Sequence, residues 1–169
     1  MISKNMEKQL NEQINAEMYS SYLYLSMSAY FEEESLSGFA SWMKTQAQEE
    51  LLHAMKIYDF VLERGGRVTL EAIEKPPAKW SSPFEVFEQA FEHEKKVTNM
   101  IYGLVEAARD EKDWAADSML KWFVDEQVEE EASAEEVVEK IRMTKDAPHA
   151  LYMINKELGA RPPKLNASG

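Results

Sequence analysis

Stepping along the chain by three and four residues picks out four long stripes that are apolar except at one level. The first reads Leu10, Ile14, Glu17, Ser21, Tyr24, Ser28 and Phe31, and the second Phe39, Met43, Gln46, Glu50, His53, Ile57 and Phe60. The third reads Phe87, Ala90, Glu94, Val97, Ile101, Leu104 and Ala108, and the fourth Ala116, Leu120, Phe123, Gln127, Glu130, Ala134, Val137 and Ile141. Such a period belongs to amphipathic helices that each bury one face. It predicts helices over about 5–33, 38–64, 83–110 and 113–142. A short fifth helix is expected over about 146–158, opened by Asp146-Ala147-Pro148, with Leu151, Ile154 and Leu158 on one side.

Local punctuation supports these bounds. Ser35 and Ser37 offer capping hydroxyls for the second helix, and Gly65-Gly66 would stop it. Ser82-Pro83-Phe84-Glu85 is a helix start with a serine cap, a first-turn proline and a glutamate three residues on. Asp113 is placed to cap the fourth helix, and residues 159–169 read as a tail. The segment 65–82, with Pro76-Pro77, is long for a loop. At roughly 3.3 Å per residue, about 16 extended residues of it reach about 50 Å, enough to cross a helix roughly 42 Å long. It therefore reads as a crossover that leaves the second and third helices running the same way. The expected fold is all-α: one domain, a four-helix bundle with a long crossover and a short fifth helix.

The interruptions in the stripes carry the chemistry. Glu17 to Glu50 and Glu94 to Gln127 are both 33 residues apart, so each half offers a lone carboxylate and then a pair spaced by three: Glu50 with His53, Gln127 with Glu130. On a helix that spacing puts both groups on one face. Each group lies near the middle of its helix, so all six should meet at one height. Four carboxylates buried together cost several kcal/mol apiece unless compensated. Acids turned to solvent, or protonated, would require the same accident on four helices. Glu17, Glu50, Glu94 and Glu130 sum to −4, which two divalent cations would neutralise. Four carboxylates, an imidazole and an amide form a hard donor set suited to iron or manganese. Glu49, Glu126 and Glu129, with Glu130, could hold a third cation beside the pair. Tyr24, two turns from Glu17, is placed to hydrogen-bond a ligand or donate an electron.

Composition narrows the rest. The 169 residues include 31 acidic and 19 basic side chains, for a formal charge of −12, which disfavours nucleic acid and anionic membranes as partners. The absence of cysteine excludes disulfides, thiolate zinc sites and iron–sulfur centres. Neither a signal-peptide core nor a bilayer-spanning stretch is present in the sequence, so a cytoplasmic location is expected.

The chain resembles the non-haem ferritins of bacteria and archaea. The resemblance runs through Asn15-Ala16-Glu17-Met18-Tyr19-Ser20, Tyr22-Leu23-Tyr24-Leu25, Gln48-Glu49-Glu50, His53-Ala54, Glu63-Arg64-Gly65-Gly66, Glu92-His93-Glu94 and Glu126-Gln127-Val128-Glu129-Glu130-Glu131. It implies a ferroxidase centre with Glu17, Glu50 and His53 at one iron, Glu50, Glu94 and Glu130 at the other, and Gln127 close by. Glu49, Glu126, Glu129 and Glu130 correspond to a third iron site. The resemblance further implies a homo-oligomeric cage of twenty-four subunits that oxidises Fe(II) with O2 or peroxide and stores a ferric mineral; in such a cage Asp113 and Asp117, near the turn before the fourth helix, are candidates for lining an entry pore. Bacterioferritins carry a second Glu-x-x-His and a haem-ligating Met after the second-helix Glu; here those positions read Gln127-x-x-Glu130 and Leu51, so no haem is expected. A passive mineral-holding shell and an electron-transfer or peroxide-scavenging di-iron protein are the competing functions, separated by whether Fe(II) is oxidised and whether O2 or peroxide is consumed.

Overall fold

The computed structural model describes residues 1–145 and 147–162; the expected helix opening at Asp146 and the tail beyond 162 lie outside them. Five helices follow in order: α1 (Lys4–Glu33), α2 (Ser37–Glu63), α3 (Pro83–Asp110), α4 (Trp114–Thr144) and α5 (Pro148–Gly159). Their ends fall within two residues of the expected bounds, the usual spread at fraying termini.

Three of the helix junctions share one device. After α1, α2 and α3 a single residue takes the left-handed conformation: Ser35 at φ 58°, Gly65 at φ 71° and Lys112 at φ 57°. The next amide then reaches five residues back: Leu36 to the Phe31 carbonyl, Gly66 to Val61 and Asp113 to Ala108, at 2.8–2.9 Å. This closes the orphan carbonyls of the last turn. It also corrects the expected cap of α2. Ser35 is committed to ending α1, so Leu36 occupies the N-cap position and makes no side-chain cap bond. Ser82 and Asp113 do cap, accepting from the amides of Glu85 at 3.2 Å and Ala116 at 3.1 Å.

The direction of the helices follows from what they touch. The Ile2 amide bonds the Arg64 carbonyl at one end of the bundle, and Ser28 Oγ bonds the Ala40 carbonyl at the other, so α1 and α2 are antiparallel. Met6, Leu10 and Ile14 share an apolar cluster with Ile101, Leu104 and Ala108, whereas Tyr24, Met27 and Phe31 share another with Val86 and Phe87. Hence α3 also runs against α1, and α2 and α3 run the same way. Segment 65–82 makes that possible by lying along α1. The Glu7 carboxylate accepts from the Arg67 amide at 2.9 Å, Asn11 accepts from the Thr69 amide at 2.7 Å and donates to the Arg67 carbonyl, and Asn15 donates to the carbonyls of Glu71 and Ala72. Further on, Ser26 donates to the Pro77 carbonyl at 2.5 Å. Three side chains spaced by four on α1 thus satisfy backbone groups of a segment that has no regular partner of its own.

Helix α5 docks on the start of α2 through a glycine contact. A methyl group at Gly38 would lie 1.7 Å from the Asn155 carbonyl oxygen, while Asn155 Oδ1 accepts from the Phe39 amide at 3.0 Å. Gly38→Ala is therefore expected to push α5 off α2 and cost about 1–3 kcal/mol, the usual range for overpacking. Faster amide exchange across α5, with the exchange of α1 unchanged, is the measurement; equal exchange in both variants would defeat it.

The two apolar clusters lie above and below one polar layer. Glu17, Glu50, His53, Glu94, Gln127 and Glu130 are buried between them, joined by Gln13, Gln46, Glu49 and Thr98.

Candidate metal centre

Each helix supplies the layer from its middle turn, so the groups converge without any loop. Glu17, Glu50 and Glu94 are each 1% exposed and Glu130 2%, which takes all four out of contact with bulk solvent. What replaces it is a set of amide and hydroxyl donors. Gln13 Nε2 donates to Glu17 Oε1 at 2.7 Å, and Gln46 Nε2 to Glu130 Oε2 at 2.7 Å. Gln127 Nε2 donates to Glu94 Oε2 at 3.2 Å, to the Glu94 carbonyl and to Thr98 Oγ1; the Tyr24 hydroxyl donates to Glu94 Oε1. The donors hold one oxygen of Glu17 and one of Glu130 and leave Glu17 Oε2 and Glu130 Oε1 buried with no hydrogen-bond partner, as is Glu50 Oε1. Buried polar atoms are ordinarily satisfied, so orphans gathered at one level mark a place built for something else.

Among the described residues, ligand atoms gather in three groups. Glu17, Glu50 and His53 offer ligand atoms within 4.8 Å of one another, as do Glu50, Glu94 and Glu130, and as do His53, Glu126 and Glu130. Glu50, His53 and Glu130 each belong to two sets. His53 sits between Glu50 Oε2, 3.3 Å from Nδ1, and Glu126 Oε2, 3.9 Å from Nε2, with Trp122 and Phe123 edge-on to its ring. Burial raises the Glu50 carboxyl well above its ordinary range, with the charges of Glu94, Glu17 and Glu130 adding to the effect. Burial and Glu130 lift Glu94 to about 8, against the opposing hydrogen bonds from Tyr24 and Gln127. Burial, with Glu94 and Glu50 nearby, raises the Tyr24 hydroxyl well above 10, so it stays a proton donor. A pair of hard dications would resolve this frustration and the orphaned oxygens fit it; a proton on Glu50 relieves only its own contact with Glu17.

The remaining expected residues divide. Glu126 joins a convergent set, whereas Glu49 and Glu129 lie outside all three; Glu129 is on the exposed face and Glu49 is buried beside Arg161. Asp113 is engaged in capping α4 and in a fork from Arg64 at 2.8 and 3.1 Å, which lowers its carboxyl, and Asp117 accepts from Arg109 at 2.8 Å. Both candidate pore residues thus have structural partners within the chain. Gln13, Gln46, Thr98 and Arg161 were not legible as members of the site. Gln13 had a signal, four residues before Glu17 on the same face. Gln46 had a misleading one, for it stands four before Glu50 yet serves Glu130 across the bundle.

A family model described as a ferritin-like domain matches residues 7–144. The chain is 49% identical over 161 residues to a bacterial non-heme ferritin of Bacteroides fragilis, covering 95% of this chain and all of that one. It is 42% identical to a bacterial non-heme ferritin of Staphylococcus aureus, over 95% of this chain and 97% of the relative. Among solved structures, an open pore ferritin from the hyperthermophilic archaeon Archaeoglobus fulgidus superposes with a TM-score of 0.95 at 55% identity, covering 96% of this chain and 100% of that one. A humanized archaeal ferritin gives a TM-score of 0.95 at 54% identity, over 96% and 98% of the two chains.

Proposed function

Because this chain belongs to the ferritin family, we propose that it stores iron by first oxidising it at the buried layer. In this reading Fe(II) is the substrate. Two ions each give up one electron and O2 or peroxide accepts the pair. Glu17, Glu50 and His53 would hold one ion and Glu50, Glu94 and Glu130 the other, with Glu50 between them. The observation that carries the reading is the pairing of one pinned oxygen with one orphaned oxygen on Glu17 and Glu130, within sets whose atoms lie within 4.8 Å. The pinned oxygens keep the carboxylates aimed before any cation arrives, so little reorganisation is needed when charge changes on the metals. Tyr24 supplies a proton-bearing hydroxyl on Glu94, and the two apolar clusters exclude water from both sides.

The proposal extends to a third iron position served by Glu49, Glu126, Glu129 and Glu130, and to a single domain that assembles as a cage of twenty-four copies in the cytoplasm. Exposed large apolar side chains such as Tyr22, Leu25, Tyr102 and Trp114 support assembly, since a lone subunit gains nothing from leaving them in water. Among the described residues no helix is long and apolar enough to cross a membrane. Anaerobic Fe(II) loading of apoprotein followed by O2 or peroxide, read as ferric absorbance, oxidant consumed and particle size, tests the whole. Iron uptake without faster oxidation would favour a passive shell.

Gln127 gives a sharper test. Its amide donates to Glu94, where a histidine would offer the metals a stronger nitrogen ligand. Gln127→His is expected to slow turnover after the first irons by about tenfold, because tighter ligation holds oxidised iron back from the mineral. Unchanged multiple-turnover rates would refute that account.

A further inference from the structure

Two residues beyond α5, Arg161 reaches back to the wall of the polar layer. Its Nη1 donates to Gln46 Oε1 at 2.7 Å, its Nη2 lies 3.5 Å from Glu49 Oε2, and its guanidinium sits 5.1 Å from the Trp42 ring centre. The side chain is 20% exposed, so this is a partly sheltered cation. Its reach is set by α5, which is docked on α2 through Gly38 and Asn155, and by the Arg161 amide bonding the Leu158 carbonyl at 3.2 Å.

A guanidinium only donates hydrogen bonds. It therefore decides which way the Gln46 amide faces: oxygen toward Arg161, NH2 toward Glu130, where Nε2 meets Oε2 at 2.7 Å. The opposite orientation would set the amide oxygen against a carboxylate and its NH2 against a cation. Holding Oε2 in this way leaves Glu130 Oε1 as the orphaned atom, and Glu130 is shared by two convergent sets. The other arm of the same fork places positive charge at Glu49, on the flank of the layer.

We propose that Arg161 is a positioning residue of the metal centre and a tethered cation beside it. Through Gln46 it aims Glu130, and at Glu49 it stands in the third cation position of the proposed function, which fills only by displacing the guanidinium. The inference rests on that proposed function, on both the dinuclear layer and the third position, and it ties the seating of α5 to how the third position fills.

Zn2+, which does not change oxidation state, and Co2+, whose visible absorption reports its ligands, are the probes. Apoprotein of the full chain is titrated by calorimetry and absorption alongside Arg161→Ala, Arg161→Lys and Gln46→Leu, with melting followed for each. Wild type is expected to take two tighter ions and one weaker. Arg161→Ala should strengthen the weak event about tenfold, weaken the tighter pair several-fold and change the Co2+ bands. Arg161→Lys keeps the charge at Glu49 but lacks the fork, so the weak event stays weak while the bands change. Gln46→Leu should weaken the pair and leave the weak event alone. Isotherms for Arg161→Ala that superpose on wild type overturn the proposal, as does uniform weakening of every event in step with a lower melting temperature. Two ions in every variant with no weak event overturn the displacement at Glu49. Failure of wild type to bind Zn2+ at all removes the dinuclear reading itself, a result distinguishable from the others.

Discussion

Glu50→Gln is expected to lower the initial rate of Fe(II) oxidation by about two orders of magnitude or more while making the apoprotein more stable at neutral pH. The two effects share one cause. Glu50 belongs to both the set with Glu17 and His53 and the set with Glu94 and Glu130, so in the proposed function an amide there would take a negative ligand from both metals at once. In the absence of cations the same carboxyl is a liability, buried at 1% exposure with one oxygen lacking a hydrogen-bond partner and facing three other acids. Folding the apoprotein at neutral pH must protonate it or bear its charge, and a glutamine escapes both. Stopped-flow oxidation and calorimetric melting of the two apoproteins check the pair of outcomes. A slow variant that is also less stable would mean that Glu50 holds the bundle together and is not kept for metal.

The second large effect is a pH dependence that metal binding removes. Glu94 in the folded apoprotein releases its proton at about 8, against an ordinary 4.5, and Glu50 is shifted the same way. Between those values the native state binds more protons than the unfolded chain, so apoprotein stability falls as pH rises from about 4.5 to about 8. The loss is on the order of several kcal/mol and is complete above the folded value. Dications compete with those protons, so binding releases them and the affinity climbs with pH. At a thousand times the dissociation constant each bound ion adds about 4 kcal/mol, or roughly 8–16 °C in melting temperature for a chain of this size. Saturating dications leave these carboxylates as deprotonated in the native state as in the unfolded chain, so the melting temperature should fall with pH across this window without Zn2+ and stay nearly level with it, and chelation should restore the apoprotein slope. A melting temperature indifferent to both pH and Zn2+ would contradict the metal reading of the layer.

Much of this was legible in the residues alone, for a local reason. Helical periodicity is set by the backbone, so which side chains share a face can be counted off: Glu50 and His53 one turn apart, Gln127 and Glu130 likewise, each in an otherwise apolar stripe. Burial cost then makes four such interruptions at one height meaningful without any distance being known. The caps at Ser82 and Asp113 are equally local and are found as expected. Ser35 departs from expectation because two neighbouring helices compete for one residue, and closing α1 prevails over capping α2.

Only the tertiary structure decided which donor holds which carboxylate. Gln46 passes over Glu50 on its own helix to reach Glu130 on α4, Arg161 returns from beyond α5 to orient that amide, and the crossover lies on Glu7, Asn11 and Asn15. It also placed Glu126 in a convergent set and left Glu129 on the exposed face. These pairings depend on the spacing and rotation of one helix against another, which are set by how two apolar clusters pack. A period of 3.6 residues specifies the face a side chain occupies, but the partner waiting opposite that face is chosen by packing.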